Sequence, residues 1–280
     1  MITRGLRLFR KLLQIPVYKR VGNIHLWLPP EHLLPIYKQK NRLYDSFLPV
    51  LANRLPVRST VIDVGANIGD SCKGMYISNS SLDFLCVEPD AKFFKYLKFN
   101  TRKIPKQNLF LHKVLVTESS GVFKLVGKGG TKSMQVTSQS SIKTATLDSL
   151  CSEIRVSSQI GLIKSDVDGF DFDVLLSGRS VISEKQPLVF AEFSFIDSSS
   201  LGKYLNVVNF LIDAKYTHAF IFRNTGGFEC SIDLNQLEDF LRKNVNSSNH
   251  FVGVSYFDIM FSAENFLDIA KLAINDFKKL

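Results

Sequence analysis

The sequence is poor in tryptophan, cysteine and histidine, and the cysteines are too scattered for a metal or redox motif. One tryptophan, four cysteines and five histidines occur among 280 residues. Cys72, Cys86, Cys151 and Cys230 form no C-x-x-C pair, which argues against a structural zinc site or a redox dithiol. Cys72 and Cys86 fall in predicted core elements, so we predict buried thiols. A reducing cytoplasm is the expected compartment.

Long hydrophobic runs are also missing. No stretch has the length needed to cross a bilayer. The basic start of the chain lacks the continuous apolar core and the small-residue cleavage site of a signal peptide. Hydrophobic residues nevertheless make up 45% of the sequence. A chain of this length and composition is sufficient for one large α/β domain with an extension.

Acidic residues are scarce near the start. Residues 1–60 contain eleven Lys or Arg and two acids, whereas the other 220 residues contain 24 of each sign. We predict a basic N-terminal extension or cap over residues 1–57 and one main domain over residues 58–280. Within residues 2–13, Ile2, Leu6, Phe9 and Leu13 fall on one face of a helix. Such a helix suits peripheral contact of residues 1–20 with an anionic inner membrane, packing on its own domain, or a homo-oligomer contact.

The most informative stretch is Thr60–Asp70. It begins as a β-branched run typical of a central parallel strand, and Asp63 stands near the end of that run. Gly65 and Gly69 then bracket a tight turn that leads into a helix. Position 67 is Asn, so the dinucleotide pattern G-x-G-x-x-G is not met. A carboxylate here repels a pyrophosphate and suits S-adenosylmethionine (SAM), which carries an amino group and a sulfonium.

Further acids follow later predicted strands. Glu88 lies 25 positions beyond Asp63, roughly where dinucleotide-type folds place an acid for ribose hydroxyls. Asp166 and Glu192 stand near the ends of the fourth and fifth strands. The alternation of strands and helices from residue 60 predicts a doubly wound, mostly parallel sheet of about seven strands. Ligands bind at the carboxyl ends of such strands, so these acids are expected to share one polar site.

Five ordered motifs resemble the FkbM-type SAM-dependent methyltransferases. They lie at residues 62–70, 87–89, 146–148, 163–169 and 191–192. The resemblance implies a class I methyltransferase (Rossmann-like) fold with an antiparallel last strand. It also implies methyl transfer to a hydroxyl of a sugar, polysaccharide, glycolipid or secondary metabolite. The implied SAM contacts are Asp63, Gly65, Ala66, Asn67, Gly69, Glu88 and Pro89, with Val114 or Leu115 near the adenine and Asp166 at the methionine end.

Alignment of donor and acceptor supplies most of the catalysis in such a transfer, and a general base helps. Asp166 and Glu192 are the candidate bases, with Lys164 a further candidate. The alternative for Lys164 and Glu192 is a structural ion pair. No metal is expected, although a metal-dependent O-methyltransferase using Asp166 and Asp168 stays as a lesser alternative.

Two other functions remain open at this stage. A nucleic-acid methyltransferase would explain the basic extension, but no N-P-P-Y-like or Pro-Cys motif is present and the aromatics of the extension are sparse. A non-catalytic SAM-fold module is the second alternative. The intact Asp63, Gly65, Gly69 and Glu88 argue against it.

Overall fold

The computed structural model describes residue 13 and residues 15–118, 123–128, 131–136, 142–153, 159–195, 199–246 and 256–280. The amphipathic helix expected over residues 2–13 lies outside the described residues, apart from Leu13. Among the helices described, none is long and apolar enough to cross a membrane.

Strands occur throughout the described part of the chain, from Val17 to Ala263. They are β1 (Val17–Val21), β2 (Ile24–Leu28), β3 (Thr60–Val64), β4 (Asp83–Val87), β5 (Leu109–His112), β6 (Leu115–Val116), β7 (Phe123–Lys128), β8 (Thr131–Val136), β9 (Thr144–Ala145), β10 (Ile160–Ser165), β11 (Leu188–Ser194), β12 (Tyr216–Arg223), β13 (Phe228–Asp233) and β14 (Tyr256–Ala263).

Helices alternate with the strands of the main sheet. They are α1 (Leu34–Lys40), α2 (Phe47–Ala52), α3 (Asp70–Ser78), α4 (Ala91–Asn100), α5 (Leu147–Glu153), α6 (Asp171–Leu176), α7 (Arg179–Lys185), α8 (Ser200–Asp213), α9 (Leu237–Asn246) and α10 (Leu267–Phe277), with single 3-10 turns at Lys106–Asn108, Leu234–Gln236 and Glu264–Phe266.

The main sheet has the order β13-β12-β14-β11-β10-β3-β4-β5 in the described part of the chain. Strands β5, β4, β3, β10 and β11 are parallel, whereas β14 runs antiparallel to both β11 and β12. The strand order reverses between β3 and β10, which makes their carboxyl ends the expected ligand site. The predicted doubly wound fold with an antiparallel last strand is confirmed. Strand β13 is an additional edge strand that the prediction of about seven strands lacked.

The sheet is stable because helices cover both of its faces. Every residue of β3 and β10 is buried, as expected for central parallel strands. Phe193 and Tyr204 stack in the core on one side, while Phe84 and Met75 lie in the core on the other. Each such side chain contributes about 1.5–3 kcal/mol by leaving water. Cys72 and Cys86 are fully buried, as predicted.

Leu109–Val116 is a largely apolar run that the sequence predicts as a single third strand, and this prediction is wrong at its end. Strand β5 ends at His112, and Leu115–Val116 leaves the main sheet to pair in parallel with Thr144–Ala145. The sequence also predicts that residues 31–55 are helical with breaks near Pro35 and Pro49. Two helices, α1 and α2, do form there, and residues 41–46 separate them. Each proline lies in the first turn of a helix, α1 or α2, where a missing N–H costs nothing.

The hairpin β1–β2 packs against α3 and α4. Leu26 and Leu28 of its inner face are buried against Ile68 and Phe93. The side chain of Asn100, at the end of α4, accepts a hydrogen bond from Trp27 N at 2.9 Å and donates to Trp27 O at 3.0 Å. Its amide also donates to Ile68 O, so one buried side chain ties the hairpin to the glycine loop.

Candidate active site

The loop Gly65–Gly69 connects β3 to α3 at the reversal of strand order. Gly65, Asn67 and Gly69 all have positive φ values, of 73°, 47° and 83°. A Cβ at Gly65 would lie 2.0 Å from the carbonyl oxygen of Asp166, so only glycine allows the loops after β3 and β10 to pack this closely. The N–H groups of Gly65 and Ala66 donate to Val87 O, which fixes the loop to the end of β4.

An ion pair lies beneath this loop. Lys164 Nζ is 3.0 Å from Asp63 Oδ1 and 3.6 Å from Asp166 Oδ2, and it donates to Gly65 O at 3.1 Å. Ser71 Oγ donates to the other oxygen of Asp63 at 2.9 Å. Burial alone would lower the pKa of Lys164, but the charges of Asp63 and then Asp166 outweigh it and raise that pKa. The ammonium therefore keeps its proton at neutral pH.

Glu88 follows β4 and faces the loop. Its Oε2 accepts a hydrogen bond from Asn67 N at 2.9 Å, and its Oε1 accepts one from Asp90 N at 2.7 Å. These bonds favour the carboxylate, but burial outweighs them and raises the pKa of Glu88 to about 7. Each oxygen of a carboxylate has a further lone pair, so Glu88 can also accept from hydroxyl groups of a ligand.

The first cleft has a volume of about 630 Å³, and Glu88 is one of the residues that line it. Its walls combine apolar side chains with a few acids and open backbone. The residues lining it are Val64, Gly65, Asn67, Val87, Glu88, Pro89, Phe93, Val114, Leu115, Val116, Asp166, Val167, Asp168 and Phe170.

The second cleft, of about 710 Å³, lies on the other side of the loops. Half of its wall comes from the segment that precedes β3. His32 belongs to this wall, and its Nε2 lies 3.2 Å from Asn67 Oδ1. The residues lining the cleft are His32, Leu33, Leu34, Tyr37, Tyr44, Asp45, Leu48, Gly65, Asn67, Asp70, Ser71, Lys164, Asp166 and Asp168. Gly65, Asn67, Asp166 and Asp168 therefore line both clefts.

Three further acids lie behind Asp166, and of these Asp171 is fully buried whereas Glu192 and Asp258 are half-buried. Glu192 and Asp258 face each other as paired residues of β11 and β14. Burial, followed by repulsion from Asp166 and Asp171, raises the pKa of Glu192 to about 10. Burial likewise raises the pKa of Asp258. Asp171 accepts hydrogen bonds from Ser165 Oγ at 2.5 Å and Val167 N at 3.3 Å, and burial raises its pKa to about 7.

The structure brings most of the candidate residues to one place. Seven of the predicted SAM contacts line the first cleft: Gly65, Asn67, Glu88, Pro89, Val114, Leu115 and Asp166. Ala66 and Gly69 shape the loop beneath, and neither lines a cleft described here. Asp63 is fully buried and is connected to the second cleft through Lys164 and Ser71, which both line it. Glu192 lines neither of the two clefts in the described part of the chain.

Sequence reasoning did not single out His32, Tyr37, Tyr44 or Asp45. These residues lie on the predicted cap, whose position over the sheet edge depends on tertiary packing. The available signal was compositional, because aromatic and polar residues interrupt the apolar pattern between Pro30 and Phe47. No group of three or more His, Cys, Asp or Glu side chains is arranged to hold a metal among the residues that the structure describes.

Comparison with known proteins decides the family. The model described as "Methyltransferase FkbM domain" matches residues 63–218, more than half of the chain. The chain belongs to the FkbM methyltransferase family. This membership confirms the expected methyltransferase class and its methyl donor, SAM. No curated protein is detectably similar in sequence.

Similar solved structures include an FkbM methyltransferase from Methylobacillus flagellatus. It has 19% identity and a TM-score of 0.42, and the match covers 57% of this chain and 39% of that one. An O-methyltransferase from Bacillus cereus in complex with SAH has 12% identity and a TM-score of 0.47, covering 94% of this chain and 100% of that one. Aeropyrum pernix fibrillarin with bound SAM has 10% identity and a TM-score of 0.41, covering 74% and 68%.

The first cleft of this FkbM chain fits SAM by its own chemistry. A buried carboxylate with spare lone pairs, Glu88, suits the vicinal hydroxyls of a ribose. Val87, Phe93 and Val114 form an apolar wall suited to a flat base. Asp166, half exposed beside the loop, suits an amino group at the other end.

Proposed function

We propose that this protein transfers the methyl group of SAM to a hydroxyl oxygen of a sugar, polysaccharide, glycolipid or secondary metabolite. The observation that carries the proposal is the junction of the two clefts, because Gly65, Asn67, Asp166 and Asp168 line both. When bound, SAM supplies a methyl group already activated for in-line displacement. The protein needs mainly to align an acceptor oxygen with that methyl group, and two clefts that meet at one loop favour this alignment.

On the donor side, we assign Glu88 to the ribose hydroxyls and Val114 or Leu115 to the adenine. Asp63 and Lys164 then act as positioning residues. Their ion pair holds the end of β3 against the end of β10 and fixes Gly65 O. Pre-ordered backbone lowers the entropic cost of binding a ligand.

The acceptor cleft favours a neutral molecule rich in hydroxyl groups. Tyr37 and Tyr44 offer ring surfaces, and carboxylates of Asp45, Asp70 and Asp168 can accept hydrogen bonds from hydroxyls. A phosphate-rich acceptor such as RNA would instead meet like charges. The one lysine that lines this cleft, Lys164, is neutralised by Asp63. We therefore rank a glycan or another polyol above a nucleic acid.

Asp166 is the best-placed general base. Its side chain is 51% exposed, and it lines both clefts. Glu192, with a pKa of about 10, keeps its proton at neutral pH and cannot accept another. Lys164 is likewise held protonated by its two carboxylate neighbours. We therefore propose that Asp166 takes the proton of the acceptor hydroxyl. Lys164 orients the carboxylate of Asp166.

Methyl transfer from radiolabelled SAM to a panel of sugars, glycolipids, secondary metabolites and RNA tests this function. We expect wild type to bind SAM in the micromolar range, roughly −8 kcal/mol, and to label a hydroxyl-bearing acceptor. At saturating SAM, Asp166→Asn should reduce transfer by about 10²–10⁴-fold. Label on RNA alone would indicate a nucleic-acid methyltransferase. Absence of SAM binding in calorimetry would indicate a non-catalytic module.

A further inference from the structure

A second distinctive surface lies apart from both clefts. It consists of the outward side chains of the β1–β2 hairpin and the exposed end of α4, and we name it the aromatic–cationic face. Its members are Tyr18, Arg20, His25, Trp27, Phe99 and Arg102, and none of them lines a cleft described above. Tyr18 is 57% exposed and Phe99 is 44% exposed. Large rings left open to water on neighbouring elements call for an explanation.

The rings of this face form a connected ladder. Tyr18 stacks on His25 with ring centres 5.5 Å apart, and it lies 5.1 Å from the ring of Trp27. The edge of Trp27 meets Phe99 at 5.6 Å, and the guanidinium of Arg102 lies over the Phe99 ring at 3.9 Å. The hydrogen bonds of Asn100 to both backbone groups of Trp27 hold the hairpin against α4. The face is therefore built on paired elements.

Its charge has one sign. Residues 15–28 and 91–108 contain eight Lys or Arg and no acid, and one of the eight, Lys92, is paired with Glu31 at 2.7 Å. Lys73 of α3 adjoins the face, since its Nζ donates to His25 O at 2.6 Å. Burial, followed by the nearby charges of Arg102 and Lys103, lowers the pKa of Lys73. A surface with this surplus of cations favours an anionic partner.

Exposed apolar side chains also precede β1 in the chain. Leu13 and Ile15, just before β1, are 54% and 39% exposed. Amphipathic rings, exposed aliphatic side chains and a surplus of Lys and Arg are the combination found where proteins meet a lipid interface. RNA stacking needs open ring faces. Here Tyr18 already stacks on His25, and Arg102 covers a face of Phe99, so the chemistry favours lipid.

We propose that the aromatic–cationic face docks on an anionic lipid bilayer. Tyr18, Trp27 and Phe99 enter the headgroup layer, while Arg20 and Arg102 contact the lipid phosphates. Docking on a membrane does not depend on methyl transfer. This proposal can therefore be correct even if the proposed function is wrong.

Trp27 is the only tryptophan in the sequence, so its fluorescence reports directly on this face. The full chain is mixed with vesicles of phosphatidylcholine, or of equal parts phosphatidylcholine and phosphatidylglycerol. We expect a blue shift of the emission, and quenching by brominated lipid, with the anionic vesicles and not with the neutral ones. Both signals should be lost at high salt, where the Debye length shrinks. Vesicle binding without quenching would overturn the proposal, because another segment would then be the anchor.

A charge-matched pair of variants tests the face, and the first changes Arg102 together with two exposed lysines beside it in sequence, Lys98 and Lys103. Lys98→Glu/Arg102→Glu/Lys103→Glu should partition onto anionic vesicles roughly 100-fold more weakly, from about 1 kcal/mol for each cation near the surface. The control Lys185→Glu/Lys243→Glu/Lys271→Glu changes the same net charge at exposed positions on α7, α9 and α10. It should stay close to wild type.

The remaining outcomes of this comparison are decisive. Equal loss in both variants would overturn the proposal in favour of unspecific attraction. Binding of single-stranded RNA but not of anionic vesicles would overturn it in favour of a nucleic-acid surface. Circular dichroism and SAM titration of both variants show whether each has folded. If the first variant does not fold, Phe99→Ser with the brominated-lipid measurement replaces it, and retained quenching would contradict the proposal.

Discussion

Lys164 and Asp63 occupy the same register position of two neighbouring parallel strands, and their charged atoms lie 3.0 Å apart. Both side chains are buried, 5% and 0% exposed. The pair lies under the point where the two clefts meet, and Lys164 also donates to Gly65 O. A single buried ion pair thus connects the strand ends, the glycine loop and Asp166.

Replacing Lys164 by Met should destabilise the protein by about 3–5 kcal/mol, because Asp63 would remain buried without its cation. Urea unfolding monitored by circular dichroism measures the change. Lys185→Met, at an exposed position, should stay within about 0.5 kcal/mol of wild type. The double variant Asp63→Asn/Lys164→Met should recover part of the loss. Additive effects of the two single changes would contradict a direct pairing.

Glu88→Ala should weaken SAM binding by roughly 100-fold, since hydrogen bonds to a charged group contribute about 1.5–3 kcal/mol. Isothermal titration calorimetry measures this loss. Pro105→Ala, at an exposed position beyond α4, is a control expected to bind as wild type does. Unchanged affinity in Glu88→Ala would remove Glu88 from the cofactor site.

SAM affinity should also depend on pH through the same residue. Burial raises the pKa of Glu88 to about 7, so its carboxyl becomes protonated as the pH falls below that value. The dissociation constant should then rise, by at most about tenfold for each pH unit. Glu88→Gln removes this titration, so its dissociation constant for SAM should change little between about pH 5.5 and about pH 8, a range that spans this pKa. A wild-type profile without this slope would contradict the role of Glu88.

Asp171 should make the protein less stable as the pH rises. Burial raises its pKa to about 7 from an ordinary value of 3.8, so the folded protein holds this proton more tightly than the unfolded chain does. The stabilising free energy that comes from this retained proton is present at acidic pH and is lost as the pH rises toward 7. Asp171→Asn should therefore be more stable than wild type above that pKa, by about 1 kcal/mol after the cost of its buried amide. Thermal melts at both ends of this window give the comparison, and an equal effect at both ends would refute it.

Gly65→Ala should abolish SAM binding and strongly reduce stability. The new Cβ would lie 2.0 Å from Asp166 O, and φ at this position is +73°. Gly202→Ala is the matched control, because nothing lies within 4 Å of its new Cβ and the residue is in α8. That control should be neutral or stabilising by up to about 1 kcal/mol. Calorimetric SAM titration and thermal unfolding of both variants test the contrast.

Much of the catalytic fold could be predicted because its signals are local. The β-branched run before Gly65 and the acids at strand ends follow directly from what parallel strands and tight turns require. Strand β13 also had a local signal, since Phe228, Cys230 and Ile232 alternate with polar residues. That period of two was present in the sequence and was not recognised.

Other features depend on long-range pairing and could not be derived locally. The apolar run from Leu109 to Val116 contains no glycine or proline to mark the break at His112. The break arises because Leu115 pairs with Thr144, which is 29 positions away. The burial of Glu192 beside Asp258 likewise depends on β14 entering the sheet next to β11. This partial burial keeps Glu192, a candidate base in the sequence, protonated at neutral pH.

The acceptor wall between His32 and Leu48 precedes β3, whereas the first cleft takes no lining residue from that segment. If the second cleft holds the acceptor as proposed, substitutions in this wall, except at His32, which contacts Asn67, would alter what is methylated without changing a residue that lines or contacts the donor cleft. The arrangement separates acceptor choice from donor binding along the chain itself. Exchanging this one segment between family members would be a direct way to change the acceptor. During evolution, such exchanges would give family members different acceptors on the same donor-binding domain.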